Sequence, residues 1–299
     1  MPTSLNRRRF IQSTLATAAI GSVAMGSASQ LVGQDAAGKR RLKKAVKFGM
    51  IRIEGSIEDK LNLVKSLGFE GVEVDSPSSL NREEALKASD KTGIKIHGVI
   101  DSVHWRDTLS HPDEAVRAKG VEALKTALND AKFYGADTAL LVPGVVNKDV
   151  TYEQCYERSQ AEIRKVLPLA EKLGVKIAIE VVWNNFITKP EQLVQYVDDF
   201  KSPFVGAYFD CSNMLKYMVP AATWIRQLGK RMLKFDFKGY SHAKQWVPIG
   251  EGDEDWPEVM KALAEINYTG WATAEVAGGG PKELKDIADR MDRCFGYTA

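Results

Sequence analysis

Val175-Lys176-Ile177-Ala178-Ile179-Glu180-Val181-Val182 is a short, β-branched run, preceded by Leu173-Gly174 and followed by Trp183-Asn184-Asn185. These features read as a strand rather than a helix. With a period of two, Ile177, Ile179 and Val181 share one face, and Ala178, Glu180 and Val182 share the other. The first face is wholly apolar and suits packing against helices. The second carries a carboxylate near the strand's end.

Runs of the same kind recur on both sides, at 46–51, 71–75, 94–100, 137–142, 204–210, 231–237 and 270–276. Stretches with helical spacing fall between them near 57–67, 81–92, 113–134, 152–173, 190–200, 220–229, 255–265 and 281–294. Leu67-Gly68, Thr92-Gly93, Tyr134-Gly135 and Leu173-Gly174 mark helix ends, where glycine takes the left-handed conformation. Eight strand-helix units in about 250 residues have the size and order of a single-domain α/β protein, the (β/α)8 TIM barrel. A doubly wound open sheet is the competing arrangement, but it usually carries a glycine-rich phosphate loop after its first strand. Ile51-Arg52-Ile53-Glu54-Gly55 is not such a loop.

Functional groups of a barrel gather where its strands end. Strand five supplies Glu180, strand six Asp210, strand seven Asp236 and strand eight Glu275, while strand two carries Glu73 and Asp75. On strand seven, Leu233, Phe235 and Phe237 alternate with Lys234, Asp236 and Lys238. A carboxylate buried in a strand is costly unless paired or metal-bound. Four of them converging on one mouth would repel one another, and a divalent cation relieves that repulsion. Oxygen donors select a hard ion, Mn2+ or Mg2+, with Co2+ also possible. The alternative for each acid is a lysine partner or a helix cap.

At these positions the chain resembles the xylose isomerase-like barrel superfamily, in particular its sugar phosphate isomerase/epimerase branch, which includes ketose 3-epimerases and inosose dehydratases. The resemblance rests on Gly68-Phe69-Glu70-Gly71-Val72-Glu73, Ile179-Glu180-Val181-Val182, Phe209-Asp210-Cys211-Ser212-Asn213 and Ala274-Glu275. It also rests on Val247-Pro248-Ile249-Gly250-Glu251-Gly252-Asp253 with Asp255-Trp256, and it spans nearly all of residues 46–299. It implies one divalent ion held by Glu180, Asp210, the strand-seven residue and Glu275, with Glu180 and Glu275 passing a proton. Where the family usually has His-x-Lys-Asp on strand seven, this chain has Asp236-Phe237-Lys238-Gly239. An all-carboxylate set calls for compensating charge, from Lys238 or Lys234. Asn213 stands where ketose 3-epimerases tend to carry a substrate-contacting His.

The implied activity is metal-dependent isomerisation or epimerisation of a sugar or keto-sugar, by proton transfer next to a carbonyl. A dehydratase or lyase on a related polyol or keto-sugar would use the same enolate. A non-catalytic exported sugar-binding barrel is the alternative that Asp236 motivates. Substrate contacts are expected from Trp105, Trp183, Asn185, Asn213, Lys238 and His242, with His104 and Asn184 close in sequence. His97 shares a face with Val99 and Asp101 on strand three, and reads either as a mouth residue or as a hydrogen-bonded core histidine. Cys211 reads as a buried, inert thiol.

Composition sets the remaining bounds. The 299 residues carry 41 Lys+Arg against 39 Asp+Glu, with 44% hydrophobic residues. That is a globular composition, without the basic excess of a nucleic-acid binder. Three cysteines, Cys155, Cys211 and Cys294, give an odd count and no metal-type spacing, so no disulfide framework is expected. Asn6-Arg7-Arg8-Arg9-Phe10-Ile11-Gln12 precedes an uncharged, weakly apolar stretch, Ser13 to Ser29. This resembles a twin-arginine export signal over residues 1–29, cleaved after about Ala28, and the stretch is short of the ~20 residues a membrane span needs. Its loss removes three arginines and no acid, leaving 38 basic against 39 acidic residues. Export through the Tat machinery to the periplasm or beyond is the corresponding expectation. Residues 30–45, with Lys39-Arg40-Arg41 and Lys43-Lys44, read as a solvated basic linker, and the partners expected are a carbohydrate and, for assembly, a second copy of the chain.

Overall fold

The computed structural model describes residues 42–297, so the segment expected to be an export signal and most of the expected linker lie outside the described residues. Eight parallel strands close into a barrel: β1 (Lys43–Lys47), β2 (Gly71–Ser76), β3 (Lys95–Asp101), β4 (Thr138–Leu141), β5 (Lys176–Glu180), β6 (Val205–Asp210), β7 (Met232–Phe237) and β10 (Trp271–Ala274). β1 pairs with both β2 and β10, which closes the ring. A two-stranded hairpin, β8 (Tyr240–Ser241) and β9 (Gln245–Trp246), rises after β7. No helix among the described residues is long and apolar enough to cross a membrane.

The helices α1 (Ile57–Ser66), α2 (Arg82–Thr92), α3 (Glu114–Tyr134), α4 (Tyr152–Leu173), α5 (Pro190–Asp198), α6 (Ala221–Leu228), α7 (Trp256–Glu265) and α8 (Pro281–Phe295) ring the barrel. Their ends follow local chemistry. Thr151 and Gln154 form a capping box that starts α4, and left-handed Gly135 and Gly174 end α3 and α4 at φ 72° and 70°. The main core lies between sheet and helices, where Ile177, Ile179, Phe209 and Phe235 are fully buried. A smaller apolar cluster of Leu140, Ala178 and Tyr208 sits apart from it.

Two details correct the sequence reading. β1 begins at Lys43, so residues 43–45 belong to the barrel rather than to the linker. Lys44 reaches Asp292 Oδ2 at 2.7 Å and the Ala288 carbonyl at 3.4 Å, burying its stem against α8. The second correction lies in β3, whose pairing with β2 slips between Val72↔Ile96 and Glu73↔Gly98, leaving His97 as an extra residue. Such a bulge breaks the period of two. Val99 therefore packs in the main core, whereas Ile100 turns toward the barrel mouth.

Candidate active site

The strands deliver Glu180, Asp210, Asp236 and Glu275 to one place, with one carboxylate oxygen from each lying within 4.8 Å of the others. Asp210 and Asp236 are in register across β6 and β7. Asp210 Oδ1 accepts the backbone N–H groups of Ser212 and Asn213, both at 2.9 Å, which fixes the carboxylate and leaves Oδ2 for the cluster. Asp236 Oδ1 accepts from the Tyr208 hydroxyl at 2.8 Å. Glu275 is the acid with a side chain 38% exposed and thus open to a substrate.

Two lysines enter this group. Lys238 Nζ lies 2.8 Å from Asp210 Oδ2 and 2.5 Å from Glu275 Oε2. Lys47 Nζ lies 2.7 Å from Glu73 Oε2 and 3.1 Å from Asp236 Oδ2. Lys238 thus takes the compensating place that the sequence left open between it and Lys234. Lys234 lies elsewhere, 2.7 Å from Asp137 Oδ1 and 3.0 Å from the His97 carbonyl. Asp210 Oδ2, Asp236 Oδ2 and Glu275 Oε2 have these ammonium neighbours at ion-pair distance, yet none makes a hydrogen bond of proper geometry among the described residues. Four carboxylate oxygens this close together, in an all-oxygen donor set, fit a hard divalent cation.

The field separates the two glutamates. Burial, reinforced by the neighbouring Glu275 charge, pushes Glu180 up to about 8. Burial also opposes ionisation of Glu275, but Lys47 and Lys238 together outweigh it and bring that carboxyl down to about 2. Asp236 is raised by burial despite Lys47. A pair of carboxyls driven in opposite directions is the electrostatic pattern of an acid and a base sharing one site.

Above the carboxylates lies a cup of about 310 Å³, lined by Lys47, His104, Trp105, Trp183, Asn213 and Trp246 among others. Trp105 is 52% exposed. Trp183 donates its indole N–H to the Asn213 carbonyl at 2.7 Å and stacks on Trp246, ring centroids 4.9 Å apart. His104 Nδ1 accepts the Val142 N–H at 3.3 Å, and burial brings its imidazole down to about 4, so the ring is neutral.

Three expected contacts lie elsewhere. His97 is buried in the barrel interior, stacked on Trp271 with centroids 4.3 Å apart and 3.3 Å from both Lys234 Nζ and Thr273 Oγ1. Of the two readings left open for it, the hydrogen-bonded core histidine is the one found. Asn185 is exposed, in the left-handed region at φ 56°, and is not part of the cup lining. Its neighbour Asn184 is buried and donates to the Gly144 carbonyl at 2.7 Å. His242 bonds Asp253 Oδ2 at 2.7 Å and the Leu215 carbonyl at 3.0 Å, bracing the hairpin rather than lining the cup. Lys47, Tyr208 and Trp246 were not singled out from sequence. For Lys47 the usable signal was the alternation Lys43-Ala45-Lys47, hidden by the late start given to β1.

A family description, Xylose isomerase-like TIM barrel, matches residues 61–294, and the chain belongs to that family. It is 25% identical over 228 residues to the L-ribulose-5-phosphate 3-epimerase UlaE of Salmonella paratyphi A, covering 71% of this chain and 79% of that protein. Among solved structures it is similar to a D-tagatose 3-epimerase-like protein, at TM-score 0.73 and 20% identity over 86% of this chain and 97% of that one. It is also similar to the 3-keto-D-glucoside 4-epimerase YcjR of E. coli, at TM-score 0.71 and 15% identity over 85% and 95%. The structural likenesses establish the fold.

Proposed function

We propose that the chain is a sugar epimerase or isomerase that transfers a proton next to the carbonyl of an unphosphorylated keto-sugar, with one divalent cation held by Glu180, Asp210, Asp236 and Glu275. The observation that carries this reading is the four-carboxylate cluster, in which strands β5, β6, β7 and β10 bring one oxygen each of Glu180, Asp210, Asp236 and Glu275 within 4.8 Å of one another. The relatives named as sugar epimerases support it. When bound, the cation supplies electrostatic stabilisation for negative charge developing on the substrate's carbonyl oxygen. Glu275, ionised and open to the cup, accepts the proton from carbon. Glu180 returns a proton from the other side, and removal and return on opposite faces invert the carbon. Lys238, held against Asp210 and Glu275, keeps the Glu275 carboxylate in place and ionised. Trp105, 52% exposed, gives an apolar ring face to the sugar, and Trp183 and Asn213 line the same cup.

Solvent-deuterium incorporation into a panel of keto-sugars, with Mn2+, Mg2+ or Co2+, tests the proposal. Exchange next to the carbonyl is expected. Its absence across the panel, with the metal shown to be bound, would refute it. One observation favours a second reading: Lys47 and Lys238 already contact three of the four acids, as a metal-free sugar-binding barrel would require. Sugar binding without metal uptake or exchange would select that reading. A dehydratase would be recognised by loss of water from the same substrates.

We further propose that the chain is exported folded by the twin-arginine route and acts outside the cytoplasm, on the strength of Arg7-Arg8-Arg9 before the weakly apolar stretch. Replacing the three arginines by lysine should retain the precursor in the cytoplasm; undiminished export would reject the assignment.

A further inference from the structure

The space around Glu275 does not end at the cup. A second cavity of about 760 Å³ opens beside it and shares Lys238, Trp246 and Glu275 with it. Its other walls are largely apolar, with Val247, Pro248 and Ile249 after the hairpin, Val276 and Ala277 after β10, and Ile287 on α8. Trp246 stands between the two spaces with 48% of its surface exposed.

The charged groups on these walls are already engaged. Arg290 holds Asp286 Oδ2 at 2.6 Å and Glu251 Oε1 at 2.7 Å, and it donates to the Ile249 carbonyl at 3.2 Å. Glu283 Oε2 accepts the Gly280 N–H at 3.0 Å. Lys238 is committed to Asp210 and Glu275. A phosphate or carboxylate entering here would meet Glu275, Glu283 and Asp286 with no spare cation among the lining residues, and desolvating it would go uncompensated. A neutral ring suits the walls, since an aromatic face and aliphatic side chains bury apolar surface without a charge partner.

We propose that this annex is an aglycone subsite, and that the substrate is a keto-glycoside whose keto-sugar ring lies in the cup while its neutral, ring-shaped substituent lies against Trp246 and the Val247–Ile249 wall. The proposal rests on the keto-sugar epimerase reading and narrows its substrate class. A glycoside's anomeric carbon is locked as an acetal, so the carbonyl that acidifies the neighbouring C–H must sit at another ring carbon.

The test uses the full-length chain with Mn2+ and two probes that differ only in aglycone, methyl and phenyl 3-keto-β-D-glucopyranoside. Deuterium incorporation gives kcat/KM for each, and calorimetry with the parent methyl and phenyl β-D-glucopyranosides reads binding without turnover. The phenyl probe should be favoured by about tenfold or more in both measurements. Ala277→Trp, which fills the annex from an exposed loop, should bring both ratios toward one, and Val247→Trp fills it from the segment after the hairpin should the first variant fold poorly. Equal kcat/KM and equal binding for the two aglycones would overturn the subsite and leave the epimerase reading standing. A phenyl preference in binding with exchange on neither probe, nor on free keto-hexoses, would keep the subsite and overturn the epimerase reading. Neither exchange nor preference would overturn both.

Discussion

Lys47 stands between two buried carboxylates, Glu73 and Asp236, with its side chain only 9% exposed. Burial disfavours its charge, but the charges of Asp236 and Glu73 outweigh burial and hold it protonated. Removing one partner of such a group leaves buried charge uncompensated, at about 3–5 kcal/mol. Lys47→Met should therefore lower unfolding stability in urea by about that amount, and adding Glu73→Gln should restore part of it. An unchanged urea midpoint for the single variant would contradict the account. His104 gives a pH test. Its imidazole is lowered to about 4 in the folded chain, whereas an unfolded histidine titrates near 6.5. The unfolded state thus binds the extra proton first, so this contribution is complete above about pH 6.5 and is lost as pH falls toward 4, by at most about 3 kcal/mol. His104→Asn, which keeps an acceptor for the Val142 N–H, should flatten stability between those pH values, as read from urea midpoints.

At the scale of the element, the bulge in β3 brings Gly98 against Glu73. A Cβ on Gly98 would lie 2.4 Å from Glu73 Oε1, so Gly98→Ala should displace Glu73 from Lys47 and destabilise the fold by roughly 1–3 kcal/mol. A matching urea denaturation curve for the variant would show that the close approach is not required. The same strand shows where sequence reading runs out. The strands and helices were legible because apolar alternation, capping boxes and terminal glycines act locally. Glu180, Asp210, Asp236 and Glu275 were legible because strand ends in a barrel share one mouth. A bulge is set by pairing with a neighbour, so His97 was placed on the wrong alternation. Lys44 looked like part of a solvated tether because its partner, Asp292, lies 248 residues away. The position of Trp246 depends on a hairpin folding over Trp183, a contact no local pattern encodes.

For the molecule as a whole, the proposal of an exported, unphosphorylated keto-sugar substrate predicts that a keto-sugar is turned over faster than its phosphate ester under matched metal conditions. A clear preference for the ester would contradict that and weaken the export assignment with it. The central claim is that carboxylates from four strands hold one cation and use it in proton transfer. Asp236→His probes its least familiar part, and should shift affinity toward softer ions if Asp236 is a ligand. The most direct measurement is metal stoichiometry by equilibrium dialysis against Mn2+, with deuterium exchange followed in parallel, for the full chain and for Glu180→Gln, Asp210→Asn and Glu275→Gln. The account predicts about one ion per chain, reduced occupancy in each variant and exchange lowered by about 10²-fold or more. Unchanged stoichiometry across all three variants would contradict it.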